Sequence, residues 1–154
     1  MNFDSQICTT REQSIRLLAL GLRKETADMF IGIDWGKELA YDKNGGYTSN
    51  LDASIPAWSL ARLLEMLPSP IPISEDLPTF HHYAYLDLSK VSAHYYWEDY
   101  DGDERALVSF CGKGFFAAVV DAIEWLIKEG HFNKEYLIKI TSQGNTSTGS
   151  AWTV

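Results

Sequence analysis

Apolar residues recur at helical spacing near the start of the 154-residue chain. They share one face of a predicted helix and are Ile15, Leu18, Ala19 and Leu22. Thr9 or Thr10, followed three residues later by Glu12 or Gln13, matches the capping box that begins a helix. The pattern therefore predicts a first helix over about 10–22.

The segment "IPAWSLARLLEMLP", residues 55–68, predicts a second helix. Pro56 suits the first helical position, where its missing N–H costs nothing, and Pro68 disfavours helical geometry at the residue before it. The predicted apolar face is formed by Leu60, Leu63, Leu64 and Leu67. The alternating prolines that follow predict an extended connector, with a polyproline recognition motif as the alternative.

A third helix is predicted within residues 112–130, "GKGFFAAVVDAIEWLIKEG". Apolar residues nearly surround it, so we expect it to pack centrally across a sheet. Gly130 is a typical residue for its C-terminal end. We expect Trp125 of this helix and Leu64 of the second helix to be largely buried.

Alternation of apolar and polar residues, clear at 84–89 and less clean at 107–111, predicts two or three strands in the middle of the chain, at roughly 82–89, 93–99 and 105–111. The residues "DYDGDE" between the last two are typical of a hairpin turn. Residues 27–35 predict an edge strand or an extended segment. The run "KELAY" is expected to pair across the turn at 44–46, and "EYLIKIT" to add a short final strand.

These elements predict an α+β fold, in which about three helices pack against a small antiparallel sheet of about three to five strands. We expect residues 1–141 to form a single domain and the small, polar residues 142–154 to form a C-terminal tail.

Charge narrows the range of functions. Thirteen basic and 21 acidic residues give a net charge of −8, which argues against direct binding to nucleic acid or to an anionic membrane surface. No apolar run approaches membrane-spanning length, and the first ten residues do not match a signal peptide. We expect a cytoplasmic location, an unknown protein partner and, as an open alternative, a homo-oligomer.

Metal-site patterns are incomplete. The spacing of Asp99, Asp101 and Asp103 resembles a calcium loop, but its glycine and its twelfth position do not match one. The four histidines, at 81, 82, 94 and 131, match no zinc spacing. We predict that the protein needs neither a metal nor another cofactor.

Catalytic motifs are not found in the sequence. The two cysteines, Cys8 and Cys111, are expected to be reduced and packed. A thiol–imidazole pair would need Cys111 beside His82 or His94, and nothing in the sequence brings these residues together. We find no nucleophile elbow, phosphate-binding loop or zinc-protease motif, and so predict no enzyme.

Seven residues are candidates for binding a partner. Two are tryptophans and five are carboxylates: Trp58, Trp97, Glu98, Asp99, Asp101, Asp103 and Glu104. Tryptophan is common both in cores and at the centres of interfaces, and for Trp58 a core position is the first interpretation. The carboxylates either keep a hairpin tip solvated or imitate a run of phosphates.

Three segments together carry a resemblance: "LGLRKETADMF" at 20–30, the stretch at 55–68 and "VVDAIEWLIKEGHF" at 119–132. In this order they resemble a family of small uncharacterised proteins of Bacteroides-type gut bacteria, encoded largely in prophages and other mobile elements. The acidic hairpin and the polar tail are not part of that pattern. The resemblance implies an accessory protein of a mobile element and supplies no catalytic residues.

Taken together, the sequence favours a non-catalytic accessory protein that acts through protein–protein contacts. Two alternatives stay open: an enzyme with an unrecognised site, and an acidic mimic of nucleic acid that binds a basic protein.

Overall fold

In the computed structural model, helices and antiparallel sheets together form an α+β fold, which confirms the predicted class. The structure describes residues 6–34, 36–43 and 54–139. Its α-helices are α1 (Arg11–Ala19), α2 (Leu60–Met66) and α3 (Phe115–Glu129). Its strands are β1 (Met29–Asp34), β2 (Lys37–Asp42), β3 (Ile55–Ala57), β4 (Ile71–Pro72), β5 (Tyr83–Leu88), β6 (Ala93–Glu98) and β7 (Glu104–Phe110). Instead of the one sheet that was expected, these strands form two.

The larger sheet has the order β4-β5-β6-β7, so each strand pairs with the next one along the chain. Strands β5, β6 and β7 coincide with the predicted ones to within a residue or two, and "DYDGDE" forms the predicted hairpin turn between β6 and β7. The proline-rich connector is extended only in part: Ser69 and Pro70 form a bend with a cis peptide bond, and Ile71 and Pro72 add β4 to one edge.

Helix α3 packs on one face of this sheet, as the apolar sequence predicts. It meets the buried side chains Ala93, Tyr95 and Trp97, which alternate along β6 and share its inner face. The Trp125 ring lies 6.2 Å from the Tyr95 ring and stacks on it. Gly130 ends the helix in the left-handed conformation that glycine adopts without strain.

The smaller sheet has the order β2-β1-β3. Strand β1 is therefore the central strand of a sheet, which corrects the expectation of an edge strand. The run "KELAY" lies in β2 and pairs back onto β1, with Lys37 opposite Asp34. The turn residues 44–46 and the residues just beyond them lie outside the described residues, so the expected pairing across that turn stays a prediction.

The second helix is shorter than predicted and begins at Leu60. Residues 55–57 instead pair with β1, and Pro56 lies opposite Phe30. A proline is tolerated there because β3 is an edge strand, where no ladder hydrogen bond requires its N–H. The Ser59 side chain accepts the N–H of Arg62 and so caps α2. The prediction of Pro56 as the first helical residue was therefore wrong.

Helix α1 begins with the predicted capping box, formed by Thr10 and Gln13, but it buries another face than expected. Its buried residues are Ser14 and Leu17, whereas Ile15 is exposed. The reason is polar: the Ser14 hydroxyl lies 2.7 Å from the buried Thr9 hydroxyl and shares a hydrogen bond with it. The small polar residue Ser14 is thus buried, whereas the apolar pattern predicts a buried position for its neighbour Ile15.

The segment after α3 forms a short 3₁₀ turn at Lys134–Tyr136 and a single bridge between Leu22 and Leu137. The predicted strand "EYLIKIT" is thus limited to that bridge among the residues up to 139. Leu64 and Trp125 are half-buried rather than largely buried. The predicted tail, 142–154, lies outside the described residues.

Candidate functional site

The outer face of the larger sheet, opposite to α3, carries aromatic and charged side chains. We call it the tyrosine face; by strand alternation its residues on β5 and β6 are Tyr83, Tyr85, Asp87, His94, Tyr96 and Glu98. Tyr83 and Tyr85 are 48% and 41% exposed. Large aromatic side chains that stay in contact with water on a regular sheet are a candidate interaction surface.

The rings of this face form a row across the two strands. Tyr85 lies directly opposite Tyr96, with ring centroids 6.2 Å apart. The His94 ring lies 6.3 Å from that of Tyr96, and its Nε2 lies 3.3 Å from Oδ2 of Asp87. Cross-strand contacts of this kind hold the side chains in place at a gain of about 0.2–1 kcal/mol per pair. The row therefore offers a partner side chains that are already positioned.

A second aromatic feature stands at the hairpin end of the sheet. The rings of Phe80 and Tyr100 meet edge to face with centroids 4.5 Å apart, yet they are 72% and 55% exposed. The Tyr100 N–H donates to the carbonyl of Pro78 at 3.0 Å, which ties the hairpin tip to the loop that carries Phe80. We call these two residues the aromatic pair. The chain thus holds two apolar rings in contact with solvent.

Within the acidic tip, Asp99 has a structural role. Its Oδ1 accepts the N–H groups of Asp101 and Asp103, both at 3.0 Å, and its Oδ2 accepts the Arg105 guanidinium at 2.8 and 2.9 Å. These hydrogen bonds, the one from Arg105 first, lower the pKa of the Asp99 carboxyl below its usual value. Asp99 therefore shapes the turn, and Arg105 offsets its charge.

The other four acidic candidates are exposed around the tip: Glu98, Asp101, Asp103 and Glu104. Glu98 and Glu104 lie opposite each other at the end of the β6–β7 ladder. Like charges in direct opposition destabilise a sheet slightly, so a basic partner that lies over them would relieve that repulsion. These residues stay candidates for binding.

Neither tryptophan candidate is available to a partner. Trp58 is fully buried; its indole Nε1–H donates to Thr26 Oγ1 at 3.0 Å, and its backbone N–H donates to Thr9 Oγ1 at 3.1 Å. Trp97 is only 9% exposed, on the sheet face that α3 covers. Trp58 thus occupies the core position that was its first interpretation, and the weaker candidacy of both tryptophans for binding is corrected because each side chain is enclosed in the core.

Strand register places Asp87, His94 and Ser109 in one row across β5, β6 and β7. The same three residue types form the catalytic triad of serine hydrolases. Here, however, no hydrogen bond joins Ser109 to His94 within the described ranges, and the carboxylate contacts the Nε2 atom of the imidazole. The row lies on an open sheet face rather than in a cleft.

The thiol–imidazole pair considered from the sequence has a different setting from the one expected. Cys111 is exposed, just beyond the end of β7, so the expectation of a packed thiol was wrong for it. Cys8 is buried, and burial, with Asp28 and Glu38 nearby, raises the pKa of its thiol. The residue opposite His94 on β7 is Ser109 rather than Cys111.

Neither metal ligation nor His82 adds a site. Among the described residues no group of three or more His, Cys, Asp and Glu side chains is placed to hold a metal ion. His82 adopts a positive φ of 51°, and its buried Nδ1 has no hydrogen-bond partner in that part of the chain. Its carbonyl accepts the N–H of Ile73 and so takes part in positioning the connector beside β5.

Elsewhere the described surface includes open grooves, and two of them differ in character. One, of about 470 Å³, is mainly apolar and is lined by Leu77, Leu107, Trp125 and His131, among others. The other, of about 430 Å³, mixes basic and acidic residues, including Arg23, Arg62 and Glu135. Neither groove presents large exposed aromatic side chains such as those of the aromatic pair, so the tyrosine face and the aromatic pair are the best-defined candidate site.

Phe80, Tyr83 and the tyrosine face as a unit were not predicted from the sequence. The available signal was alternation: Tyr85 and Asp87 fall on the polar side of β5, opposite to Ala84 and Leu86. Tyrosines on the polar side of a strand mark exposed rings, but that signal does not say which side a helix will cover.

Comparison with known proteins supplies no relative: no protein-family model, curated protein or solved structure matches this chain. Separately, none of the helices in the described part of the chain has the length and apolar character to cross a membrane.

Proposed function

We propose that this protein is a non-catalytic binding module that acts by contact with another protein. The tyrosine face and the aromatic pair form its contact surface. The single observation that carries the proposal is the exposure of Phe80 and Tyr100 in an ordered, hydrogen-bonded setting. Such rings supply large contact area at little entropic cost, and a few of them dominate the energy of most interfaces.

For the cellular setting we propose an accessory role in a prophage or other mobile element, in the cytoplasm. This part is supported only by the resemblance of the three sequence segments. Two of these segments, 20–30 and 55–68, meet in the fold, because Trp58 donates to Thr26 and Ser59 donates to the carboxylate of Asp28. The resemblance thus covers residues that build the core, whereas the proposed contact surface lies outside it.

The proposal predicts that removing the aromatic pair abolishes capture of the partner. Phe80→Ala with Tyr100→Ala is expected to weaken capture from a lysate of the encoding organism by at least about 30-fold. The physical reason is that loss of a central aromatic contact costs about 2 kcal/mol or more. Quantitative affinity capture with the purified, tagged chain measures the effect.

Ile15→Ala is the matched control, because Ile15 is similarly exposed but lies on α1. It should leave capture unchanged. Circular dichroism and thermal melts must show that the double variant is folded. Equal capture by the wild type and the double variant, with folding intact, would remove the aromatic pair from the contact surface and contradict the proposal.

The row Asp87, His94 and Ser109 favours a second candidate, a hydrolase with a serine nucleophile. We rank it second because Ser109 has no hydrogen bond to His94 in the described structure and no cleft encloses the row. A fluorophosphonate probe, which attaches to activated serines, is therefore expected to leave the native protein unlabelled in intact-mass spectra. An adduct on Ser109 that His94→Ala abolishes would instead establish the hydrolase.

The third hypothesis, a mimic of nucleic acid, has less support. Its carboxylates are concentrated in one turn, and Arg105 offsets Asp99 and lies 3.7 Å from a carboxylate oxygen of Asp103. A phosphate backbone, by contrast, repeats its charge at regular intervals along an extended line. What the tip shares with a phosphate backbone is its negative charge. Negative charge favours a basic partner.

A further inference from the structure

We infer that the tyrosine face binds a lysine- and arginine-rich segment of the partner protein. The inference rests on the proposed function and specifies the chemistry of its target. It depends on two properties of one surface, exposed aromatic rings and an excess of carboxylates, which favour the same occupant.

Carboxylates outnumber basic residues on this surface. Its carboxylates, counted with the adjoining hairpin tip, are Asp87, Glu98, Asp99, Asp101, Asp103 and Glu104. Arg105 is the cation that balances part of them, and it contacts Asp99 and Asp103. Lys90 lies in the β5–β6 turn, at the opposite end of the strands from the tip. The tip half of the surface is therefore acidic and attracts a cationic segment.

The rings make that attraction specific for lysine and arginine side chains. A tyrosine ring attracts a cation placed within about 6 Å over its face, and a guanidinium also stacks on it. Tyr85 and Tyr96 lie side by side, with Asp87 and Glu98 each two residues further along the same face of β5 or β6. One basic side chain can thus contact a ring through its plane or its methylene groups while its charged end meets a carboxylate.

The same surface disfavours the other occupants. Nucleic acid would bring phosphate charge against carboxylates. A second copy of this chain, paired through a two-fold axis, would place the acidic face against itself. A basic segment of another protein avoids both repulsions and covers the exposed rings.

The test measures binding of the full-length protein to synthetic peptides by fluorescence anisotropy at low and high salt. The probes are a twelve-residue arginine- and lysine-rich peptide with interspersed serine, a neutral peptide of the same length and an acidic one. We expect the basic peptide alone to bind. Tyr85→Ala with Tyr96→Ala should weaken its binding at least about tenfold, whereas Tyr85→Phe with Tyr96→Phe should keep most of it, since the rings remain.

A charge-matched pair of variants separates this site from general attraction to an acidic protein. Glu98→Gln with Glu104→Gln removes two charges from the surface, and Glu12→Gln with Glu129→Gln removes two from α1 and α3. We expect the first pair to weaken binding severalfold and to reduce its salt dependence, and the second pair to change neither. Equal effects of the two pairs would overturn the inference, because binding would then follow net charge alone.

Two further outcomes also overturn it. One is preference for the neutral or acidic peptide. The other is dimerisation in sedimentation velocity runs that Tyr85→Ala abolishes, which would assign the face to a second copy. If no peptide binds while the aromatic pair remains essential for capture, this inference fails and the proposed function stands. If the aromatic pair proves dispensable while the basic peptide still binds at the tyrosine face, the proposed function loses the observation that carries it and this inference stands.

Discussion

Replacing Trp58 with alanine is expected to lower the free energy of unfolding by about 3–5 kcal/mol. The side chain is fully buried where β3 leads into α2, so its removal leaves a large cavity in the main core. The Thr26 hydroxyl, which accepts the indole N–H and donates to the carbonyl of Arg23, would also lose a partner. A domain of this size has a total stability of about 5–15 kcal/mol, so the loss is a large fraction of it. Urea unfolding followed by circular dichroism measures it.

Trp58→Phe separates packing from hydrogen bonding. Phenylalanine retains part of the ring volume but cannot donate to Thr26, so we expect an intermediate loss of about 1–3 kcal/mol. Tyr85→Ala serves as a control, because it removes an aromatic ring from a surface that remains in contact with water. If Trp58→Ala were no more destabilising than Tyr85→Ala, the enclosed position of Trp58 would be contradicted.

The sequence predicts the larger sheet well because its contacts are local. Strands β5, β6 and β7 follow one another, and each pairs with its neighbour in the chain. Alternation gives the strands, and the turn residues between β6 and β7 give the hairpin. Helix α3 is equally clear, since nearly all of its positions are apolar and a glycine ends it. In these regions local preference and tertiary contact agree.

The smaller sheet was not predictable in the same way, because its pairing is not local. Pro56 is compatible both with the first turn of a helix and with an edge strand, since in both places no partner needs its N–H. The choice depends on Phe30, which lies opposite to it on β1, 26 positions earlier in the sequence. Ser14 likewise occupies a buried position only because Thr9 is placed to share its hydrogen bond.

In the candidate site, too, some features follow from the local sequence and others depend on tertiary contacts. Alternation separates Tyr96 from Trp97 onto opposite faces of β6, but only the placement of α3 decides which face is covered. The sequence therefore favoured Trp97, which is buried, and passed over Tyr96. The acidic tip was found from sequence alone, because a cluster of carboxylates in a turn is a local feature. Its internal arrangement around Asp99 was not found.

That arrangement changes how the tip must be tested. Replacing all five carboxylates together would remove Asp99, whose oxygens hold the N–H groups of Asp101 and Asp103 in place. The turn and the surface charge would then change at once, and a loss of binding would have two causes. Leaving Asp99 and Arg105 unchanged keeps the turn intact while the outer charges are removed.

The last prediction concerns Leu63 and Leu64, adjacent residues of α2 that the apolar pattern treats as equivalent. Leu63 is fully buried in the main core, whereas Leu64 is half-buried at its margin. Leu63→Ala is therefore expected to lower the free energy of unfolding by about 2–5 kcal/mol, the range for a leucine whose removal leaves a cavity. Leu64→Ala should cost only about 1 kcal/mol, since solvent can fill part of the space.

Because the two variants are chemically identical and lie in the same helix, their helix propensities cancel in the comparison. The difference between them measures burial alone, and urea unfolding of both proteins under one set of conditions gives it. Ser59 is the N-cap residue of α2. Its hydroxyl accepts the N–H of Arg62 and donates to the Asp28 carboxylate. That cap fixes the start of α2, and Leu63 of this helix lies in the same buried cluster as Trp58. If Leu64→Ala proved the more damaging, the orientation of α2 with Leu63 directed into the core would be contradicted.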